Sequence, residues 1–144
     1  MSVRELGPDE THLAYPALLE LRPRQGSEAD FVRRVNQFQR PEGYRLVASF
    51  AEGEPAAVAA AGFRTGHFLA WGHVLYVDDL STRAAHRRRG HSSALLAWLL
   101  EEARRLGCDE LHLDSGTGAD RADAHRLYFN SGLRITAFHF LVRL

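Results

Sequence analysis

Residues 73–106 read HVLYVDDLSTRAAHRRRGHSSALLAWLLEEARRL, and this stretch carries the most informative pattern in the chain. His73–Thr82 has the composition of a strand, and Ser92–Leu106 has apolar residues at helical spacing. A second short apolar strand follows at Glu110–Asp114. A helix that joins two short apolar strands predicts parallel pairing with a right-handed crossover. The helix is then expected to begin beyond the carboxyl end of the first strand.

The rest of the chain predicts further strands and helices around this unit. Other strands are predicted at Val3–Leu6, Tyr44–Phe50, Ala56–Phe63 and, as a final pair, Leu133–Leu144. Other helices are predicted at Pro8–Leu21, from Ser27 to just before Pro41, and at about Asp120–Asn130. The mixture of strands and helices without a linker or repeat predicts one α+β domain over residues 1–144.

Composition excludes several classes of protein. The 144 residues include 18 basic and 18 acidic side chains, so a protein that coats nucleic acid or an anionic membrane is not expected. No apolar run approaches the roughly 20 residues that cross a bilayer, and the first residues do not resemble a signal peptide. The single cysteine, Cys108, cannot form a disulfide within the chain. A cytoplasmic protein is therefore expected.

The loop before the central helix carries a cluster of arginines and a glycine. Residues Arg87–Ser92 read RRRGHS and lie at the predicted helix N-terminus, where backbone N–H groups are unpaired and the helix dipole is positive. Glycine lets the backbone approach an anion closely, and the arginines add charged donors. The pattern favours a phosphate or pyrophosphate site. A solvated basic loop with Ser92 as a helix cap is the alternative that spacing alone leaves open.

Three motifs in this chain resemble those of the GNAT N-acetyltransferases. The family signature Arg/Gln-x-x-Gly-x-Gly/Ala opens a helix after a strand, and Arg87, Gly90 and Ser92 occupy its three places. The upstream stretch LYVDDLST is similar to the family's fourth strand, and AHRLYFNSGL at 124–133 is similar to a helix of the family. Ser92 departs from the usual Gly or Ala, and Arg121 stands where many members have Asn.

The resemblance implies a GNAT fold and an acyl-coenzyme A donor. The expected fold is α+β, with a central mixed sheet of six to seven strands flanked by about four helices. Acetyl-CoA is the expected acyl donor, with its pantetheine arm along the backbone of the fourth strand and its pyrophosphate on the arginine loop. The implied binding residues are Leu80, Ser81, Thr82, Arg87, Arg88, Arg89, Gly90, His91, Ser92 and Ser93. No metal is expected.

The resemblance also implies catalytic roles for three side chains. Tyr128 matches the tyrosine that gives a proton to the departing sulfur, and its ordinary pKa near 10 suits that role. Tyr76 and Asp78 alternate onto one face of the fourth strand, where related enzymes place the base that deprotonates the amine. Asp79 is expected on the opposite face. Asp78 is the first choice for the base, with a purely structural hydrogen-bonding role as the alternative.

The acceptor is not identified by any motif. The family shapes this pocket from its first helices and last strands, which here include Tyr15, Phe31, Phe38, Phe138 and His139. The expected function is an acetyl-CoA-dependent N-acetyltransferase acting on a primary amine, with a small-molecule amine favoured over a peptide. The alternative is a domain that binds acyl-CoA as a sensor without turnover. A homodimer is a further expectation.

Overall fold

The computed structural model describes all 144 residues of the chain. Its strands are β1 (Ser2–Leu6), β2 (Arg45–Phe50), β3 (Ala59–Phe68), β4 (Gly72–Thr82) and β5 (Glu110–Leu113). Its α-helices are α1 (Tyr15–Leu21), α2 (Glu28–Arg34), α3 (His91–Arg105) and α4 (Ala122–Asn130). The chain divides into two compact units, Met1–His112 and Leu113–Leu144.

The five strands form one sheet in the order β1-β2-β3-β4-β5, and β1 to β4 are antiparallel neighbours. β5 lies beside β4, and α3 connects the two, which is the crossover that a parallel pair needs. The mixed α+β fold with four α-helices is confirmed. β3 is longer than predicted because its pairing with β4 continues to Phe68.

The first predicted helix is divided in two. Residues Pro8–Ala14 form a 3-10 helix, and the α-helix begins only at Tyr15. Pro16 explains the position of this boundary because its ring nitrogen cannot donate the hydrogen bond of a helix interior but is tolerated in the first turn.

The helix α2 begins as the sequence predicts but changes its winding near the end. Ser27 caps it, and the Ser27 and Asp30 side chains each accept a hydrogen bond from the other residue's backbone N–H. A π-helical turn over Val35–Gln39 follows, and Gly43 ends the segment with a positive φ. The wider turn rotates the later residues around the axis. Phe38 is therefore 63% exposed, although helical spacing predicted it on the buried face.

The core of the first unit lies on both sides of the central strands. α3 buries the apolar face that the sequence indicates, with Leu95, Leu96, Leu99 and Ala103 all shielded from solvent. A second cluster joins Leu18 of α1, Phe31 of α2 and Leu46 of β2. Burial of these side chains fixes the helices on the sheet, and with them the loops that emerge at the end of β4.

The predicted final strand pair at Leu133–Leu144 is wrong, and the sheet has five strands instead of six to seven. Residues 133–144 have no regular secondary structure. The apolar pattern was typical of a strand, but a strand needs an edge whose backbone groups pair with it. Six large apolar side chains of this segment are at least 72% exposed: Ile135, Phe138, Phe140, Leu141, Val142 and Leu144. No helix of the chain is long and apolar enough to cross a membrane.

Candidate active site

The arginine loop lies between the end of β4 and the start of α3. A short 3-10 turn follows β4, and the side chains of Arg87, Arg88 and Arg89 are exposed. Arg88 and Gly90 have positive φ angles of 62° and 87°. Gly90 is the residue that precedes the first turn of α3. Left-handed residues before a helix turn successive N–H groups outward, so the loop has the charge and backbone geometry of an anion site.

Ser92 does not cap the helix, contrary to the alternative interpretation of the loop. The capping position is Gly90, which has no side chain, and Ser92 lies in the first helical turn. The Ser92 hydroxyl forms a 2.5 Å hydrogen bond with the Thr82 hydroxyl at the end of β4. Arg87 Nε donates to the Thr82 carbonyl oxygen over 3.4 Å. These contacts hold the loop against the strand end, and they leave the helix N–H groups without a side-chain cap.

The His91 side chain, in the first turn of α3, points inward. It is 4% exposed, and its Nδ1 shares a 2.8 Å hydrogen bond with Ser49 Oγ of β2. Burial, followed by the nearby His86, lowers the pKa of His91, so its imidazole is neutral at pH 7. The His91 side chain is thus engaged in the core and does not face the loop surface. Only its backbone N–H, in the first turn of α3, remains available for an anion.

The backbone of Leu80–Thr82 is paired on one side. Leu80, Ser81 and Thr82 lie opposite Ala61, Ala60 and Ala59 of β3, respectively. On the other side β5 has four residues, and Asp109 just before it donates its N–H to the carbonyl oxygen of His73. Because β5 starts beside the beginning of β4 and is short, it does not extend along the last residues of β4. An extended amide-containing chain could pair with that free edge.

A register shift in β4 places two carboxylates in the wall of one cavity. Gly62 of β3 lies opposite Asp79, whereas the next residue, Phe63, lies opposite Val77, so Asp78 is an extra residue in β4. Strict alternation predicted Asp79 on the face opposite Asp78. Both line the same cavity of about 330 Å³, together with Tyr76. A bulge re-aims side chains in this way because two residues of one strand oppose one of its neighbour.

Asp78 is held by an arginine. Arg64 of β3 donates from Nε to both carboxylate oxygens of Asp78, at 3.2 and 3.0 Å, and its Nη2 lies 2.7 Å from Oδ2. Burial raises the pKa of Asp78, and the guanidinium of Arg64 opposes that rise. Arg64 also donates to the Gln39 side chain. Asp78 is thus a partly buried, paired carboxylate, which suits a base of modest strength and equally a structural ion pair.

Asp79 is the centre of a second pair that sequence reasoning did not predict. Arg22, the residue after α1, donates from Nε to Asp79 Oδ1 over 2.9 Å and from Nη2 to the Asp78 carbonyl oxygen over 3.1 Å. The Tyr44 hydroxyl donates to Asp79 Oδ2 over 2.8 Å. Burial, followed by the charge of Asp79, raises the pKa of Tyr44 well above its ordinary value. No local pattern signals these contacts, because the partners are 35 to 57 residues apart.

Two of the aromatic residues expected to shape the acceptor pocket lie at or beside the helical side of this cavity. Phe31 lines the cavity, and Tyr15 stacks on Phe31 with ring centroids 5.5 Å apart. Phe38 does not line it, because the π-helical turn exposes that side chain. The full lining consists of Leu18, Arg22, Gln25, Phe31, Arg34, Val35, Gln39, Tyr44, Tyr76, Asp78 and Asp79.

The second unit contains Tyr128 on α4. Its side chain is 9% exposed, and burial raises the pKa of the phenol, an effect that the neighbouring Arg121 opposes. Tyr128 is therefore protonated at neutral pH and able to donate a proton. In the same unit Phe138 is exposed, and His139 Nδ1 lies 3.1 Å from Asp114 Oδ2.

Comparison with known proteins decides the family. A model of the acetyltransferase (GNAT) family matches residues 11–132. The chain belongs to the GNAT family. The prediction of an N-acetyltransferase is thereby confirmed at the level of the family.

Proteins similar to this GNAT chain align with nearly its whole length. YhdJ of Bacillus subtilis strain 168, described as an uncharacterised N-acetyltransferase, is 30% identical over 128 residues, or 88% of this chain and 87% of that protein. A ribosomal-protein-alanine N-acetyltransferase from Brucella melitensis biovar Abortus 2308 superposes with a TM-score of 0.82 at 16% identity, covering 100% of both chains. The aminoglycoside N-acetyltransferase AAC(6′)-Iy, solved with CoA, superposes with a TM-score of 0.81 at 14% identity, covering 99% of this chain and 93% of that one.

Proposed function

We propose that this chain transfers an acetyl group from acetyl-CoA to a primary amine, which attacks the thioester directly. The observation that supports it best is the arginine loop, in which Arg88 and Gly90 turn the backbone at an uncapped helix N-terminus. The exposed arginines and first-turn N–H groups fit a pyrophosphate. A fold relative solved with CoA supports the same donor. The single cysteine supports a cytoplasmic setting.

Each donor-binding residue has a distinct part in this proposal. Arg87, Arg88 and Arg89 supply charge to the pyrophosphate, and the backbone of residues 90–93 supplies N–H donors. Ser92 and Thr82 hold the loop to β4 through their hydroxyl pair. The pantetheine arm pairs with the free backbone edge of Leu80–Thr82. CoA brings the acetyl thioester, whose carbonyl an N–H near Leu80 would polarise.

The chemical step moves two protons. A lysine-like amine has an ordinary pKa of about 10.4, so it must lose a proton before it attacks. Asp78 is the proposed base, either directly or through water, with Tyr76 beside it on the cavity wall. The new C–N bond forms as the C–S bond breaks, and Tyr128 donates its proton to the departing sulfur. The acylated nitrogen then loses its second proton, which passes through water and restores the phenol. The raised pKa of Tyr128 keeps that proton available at neutral pH.

The acceptor is proposed to be a small-molecule amine. The cavity beside Asp78 encloses about 330 Å³, which lies at the lower end of the range for small-ligand sites. The solved fold relatives are named for aminoglycoside and ribosomal-protein substrates, so the family name alone does not choose between small molecules and peptides.

Tyr128→Phe tests the enzymatic proposal. We expect a 10²- to 10³-fold loss of kcat in thiol release, since a positioned acid contributes about that much. Stabilisation by acetyl-CoA in a thermal-shift measurement should stay nearly unchanged, because the phenol takes no part in pyrophosphate binding.

Two results would contradict the proposal. If acetyl-CoA fails to stabilise the wild-type protein, the loop is not a donor site. If acetyl-CoA binds but no amine in a broad panel releases thiol, the sensor alternative replaces the enzyme.

A further inference from the structure

The cavity beside β4 contains two carboxylates that are already neutralised. Asp78 is paired with Arg64, and Asp79 with Arg22 and the hydroxyl of Tyr44. A positively charged acceptor would therefore compete with an arginine for either carboxylate. The usual expectation that acidic residues in an acetyltransferase cavity attract cations does not follow from this arrangement.

One arginine of the cavity wall has no carboxylate partner. Arg34, on α2, lines the cavity and donates from Nη1 to the Gln25 side-chain oxygen over 2.8 Å. No ion pair involves it, whereas its neighbour Arg33 pairs with Asp30 at 3.4 Å. Gln25 lines the cavity as well and holds the Arg34 guanidinium in place. A held guanidinium with unused donors on a cavity wall is suited to bind an anion in bidentate fashion.

The ion pairs of the site point the same way. Arg22 is paired with Asp79, and Arg64 is paired with Asp78 and, at 3.7 Å, with Glu42, so both of these arginines are compensated. Arg34 is the arginine of this group that forms no ion pair. An acceptor with several ammonium groups would add positive charge beside it, whereas an acceptor with one anionic group would give it a partner.

We infer that the acceptor is a small amine that also carries an anionic group, a carboxylate or a phosphate, which Arg34 binds. The inference rests on the proposed function, since it places the amine of the same molecule near Asp78. The anion lies toward α2 and the amine toward β4, where Asp78 takes the proton of the amine. Polyamines and aminoglycosides are then poor acceptors.

Matched pairs of amines test the inference in the full-length protein. Thiol release from acetyl-CoA is measured with β-alanine against propylamine, with O-phosphoethanolamine against ethanolamine, and with spermidine. We expect kcat/KM to be at least 10-fold higher for the anionic member of one pair or both, and spermidine to be poor. The pair with the larger ratio identifies the carboxylate or the phosphate as the anion. A higher kcat/KM for the neutral amines or for spermidine overturns the inference.

Arg34→Ala tests the residue itself. KM for the preferred anionic amine should rise about 10-fold, while KM for the matched neutral amine and for acetyl-CoA stays constant. Arg34→Lys should restore part of the loss. Arg33→Ala is the control, because Arg33 is on the same helix but does not line the cavity. Equal effects of Arg34→Ala on both members of a pair would contradict the assignment.

Acceptor binding without turnover separates this inference from the proposed function. Isothermal titration of the same amine pairs in the presence of free CoA measures affinity when no acetyl group is present. If the anionic amines bind through Arg34 but no thiol is released in the assay, the enzymatic proposal fails and the anion site stands. If thiol is released but both members of each pair bind equally, the inference fails and the enzymatic proposal stands.

Discussion

At the scale of single residues, Asp78 combines a raised pKa with a direct arginine partner. Burial disfavours its charged form, and Arg64 restores part of that cost through hydrogen bonds to both carboxylate oxygens. The arginine favours the charged form of Asp78 and at the same time weakens it as a base. The pair therefore leaves two roles open for Asp78, base or structural anchor, and a change of its partner can separate them.

Arg64→Gln should move the acid limb of the pH–activity profile. Without the guanidinium the pKa of Asp78 rises further, and a carboxylate base is lost as the pH falls through its pKa. We expect the limb in kcat/KM to shift upward by about one pH unit if Asp78 is the base. Arg104→Gln, on the exposed face of α3, serves as the control. An unchanged limb in active Arg64→Gln protein would assign Asp78 a structural role.

Glu102 is a charged residue of the core that has no part in the proposed chemistry. It is 6% exposed, and it pairs with Arg105, at 2.5 Å from Nε, and with Arg45 of β2. The adjacent Glu101 is exposed and pairs with Arg104 instead. The hydrogen bond from Arg105 lowers the pKa of Glu102 to about 2. The hydrogen bond from Arg45 acts in the same direction, and burial opposes both.

Glu102→Gln should change the acid stability of the protein. Because the folded pKa of Glu102 is lowered from 4.5, its stabilisation is present above pH 4.5 and is lost as the pH falls toward 2. The variant should lose roughly 1–3 kcal/mol of unfolding free energy at pH 7, and the difference from wild type should shrink below pH 4.5. Urea unfolding at several pH values measures it. A pH-independent difference would exclude this linkage.

At the scale of elements, the bulge in β4 depends on a glycine in the neighbouring strand. Gly62 lies opposite Asp79, and a Cβ atom at that position would collide with the ring and hydroxyl of Tyr44. Tyr44 in turn donates to Asp79. The absence of a side chain at Gly62 thus gives the tyrosine room to reach the bulged strand, and the pair orients the second carboxylate.

Gly62→Ala should disturb this contact while leaving the rest of the sheet intact. We expect a loss of about 1–3 kcal/mol in urea unfolding, because overpacking beside a buried ring forces a shift. KM for the acceptor should also rise as Asp79 and Arg22 lose their geometry. Gly7→Ala is the matched control, since a Cβ at Gly7 meets nothing within 4 Å. Equal stability of the two variants would show that Tyr44 is not constrained by Gly62.

The helices illustrate how far local pattern predicts an element. Ser27 and Asp30 mark the start of α2 correctly, because a capping box is a contact within four residues. Its end was not predictable, since the π-helical turn at Val35–Gln39 has no consistent sequence signature. The exposure of Phe38 follows from that turn and not from its hydrophobicity.

At the scale of the whole molecule, the last twelve residues differ from the others because they have no regular secondary structure. They carry a strand-like pattern and six exposed large apolar side chains, and exposed apolar patches of this kind usually mark an interface. β5 is also one of the two edge strands of the sheet. We propose a homodimer in which the segment of each copy is covered by the other, because each copy has both the segment and an open edge.

Light scattering coupled to size exclusion tests the dimer. The wild-type chain should have twice its monomer mass of 16.2 kDa, and Phe140→Asp should move it toward the monomer by placing a charge on the apolar segment. Leu69→Asp is the control, since Leu69 is exposed in the turn between β3 and β4. A monomeric wild-type protein, or equal dissociation of both variants, would contradict the proposal.

The sequence by itself determined the order strand, arginine loop, helix and short strand, and with it the family. These features are local: the positive φ at Gly90, the apolar face of α3 and the charge of the loop all depend on neighbouring residues. Tertiary structure alone decided the chemistry of the cavity. It placed Asp79 beside Asp78 through one extra residue in β4, and it brought Arg22 to Asp79 across 57 positions. The alternation of side chains along a strand does not predict where a bulge interrupts it. No local sequence pattern predicts which distant arginine will pair with a buried carboxylate.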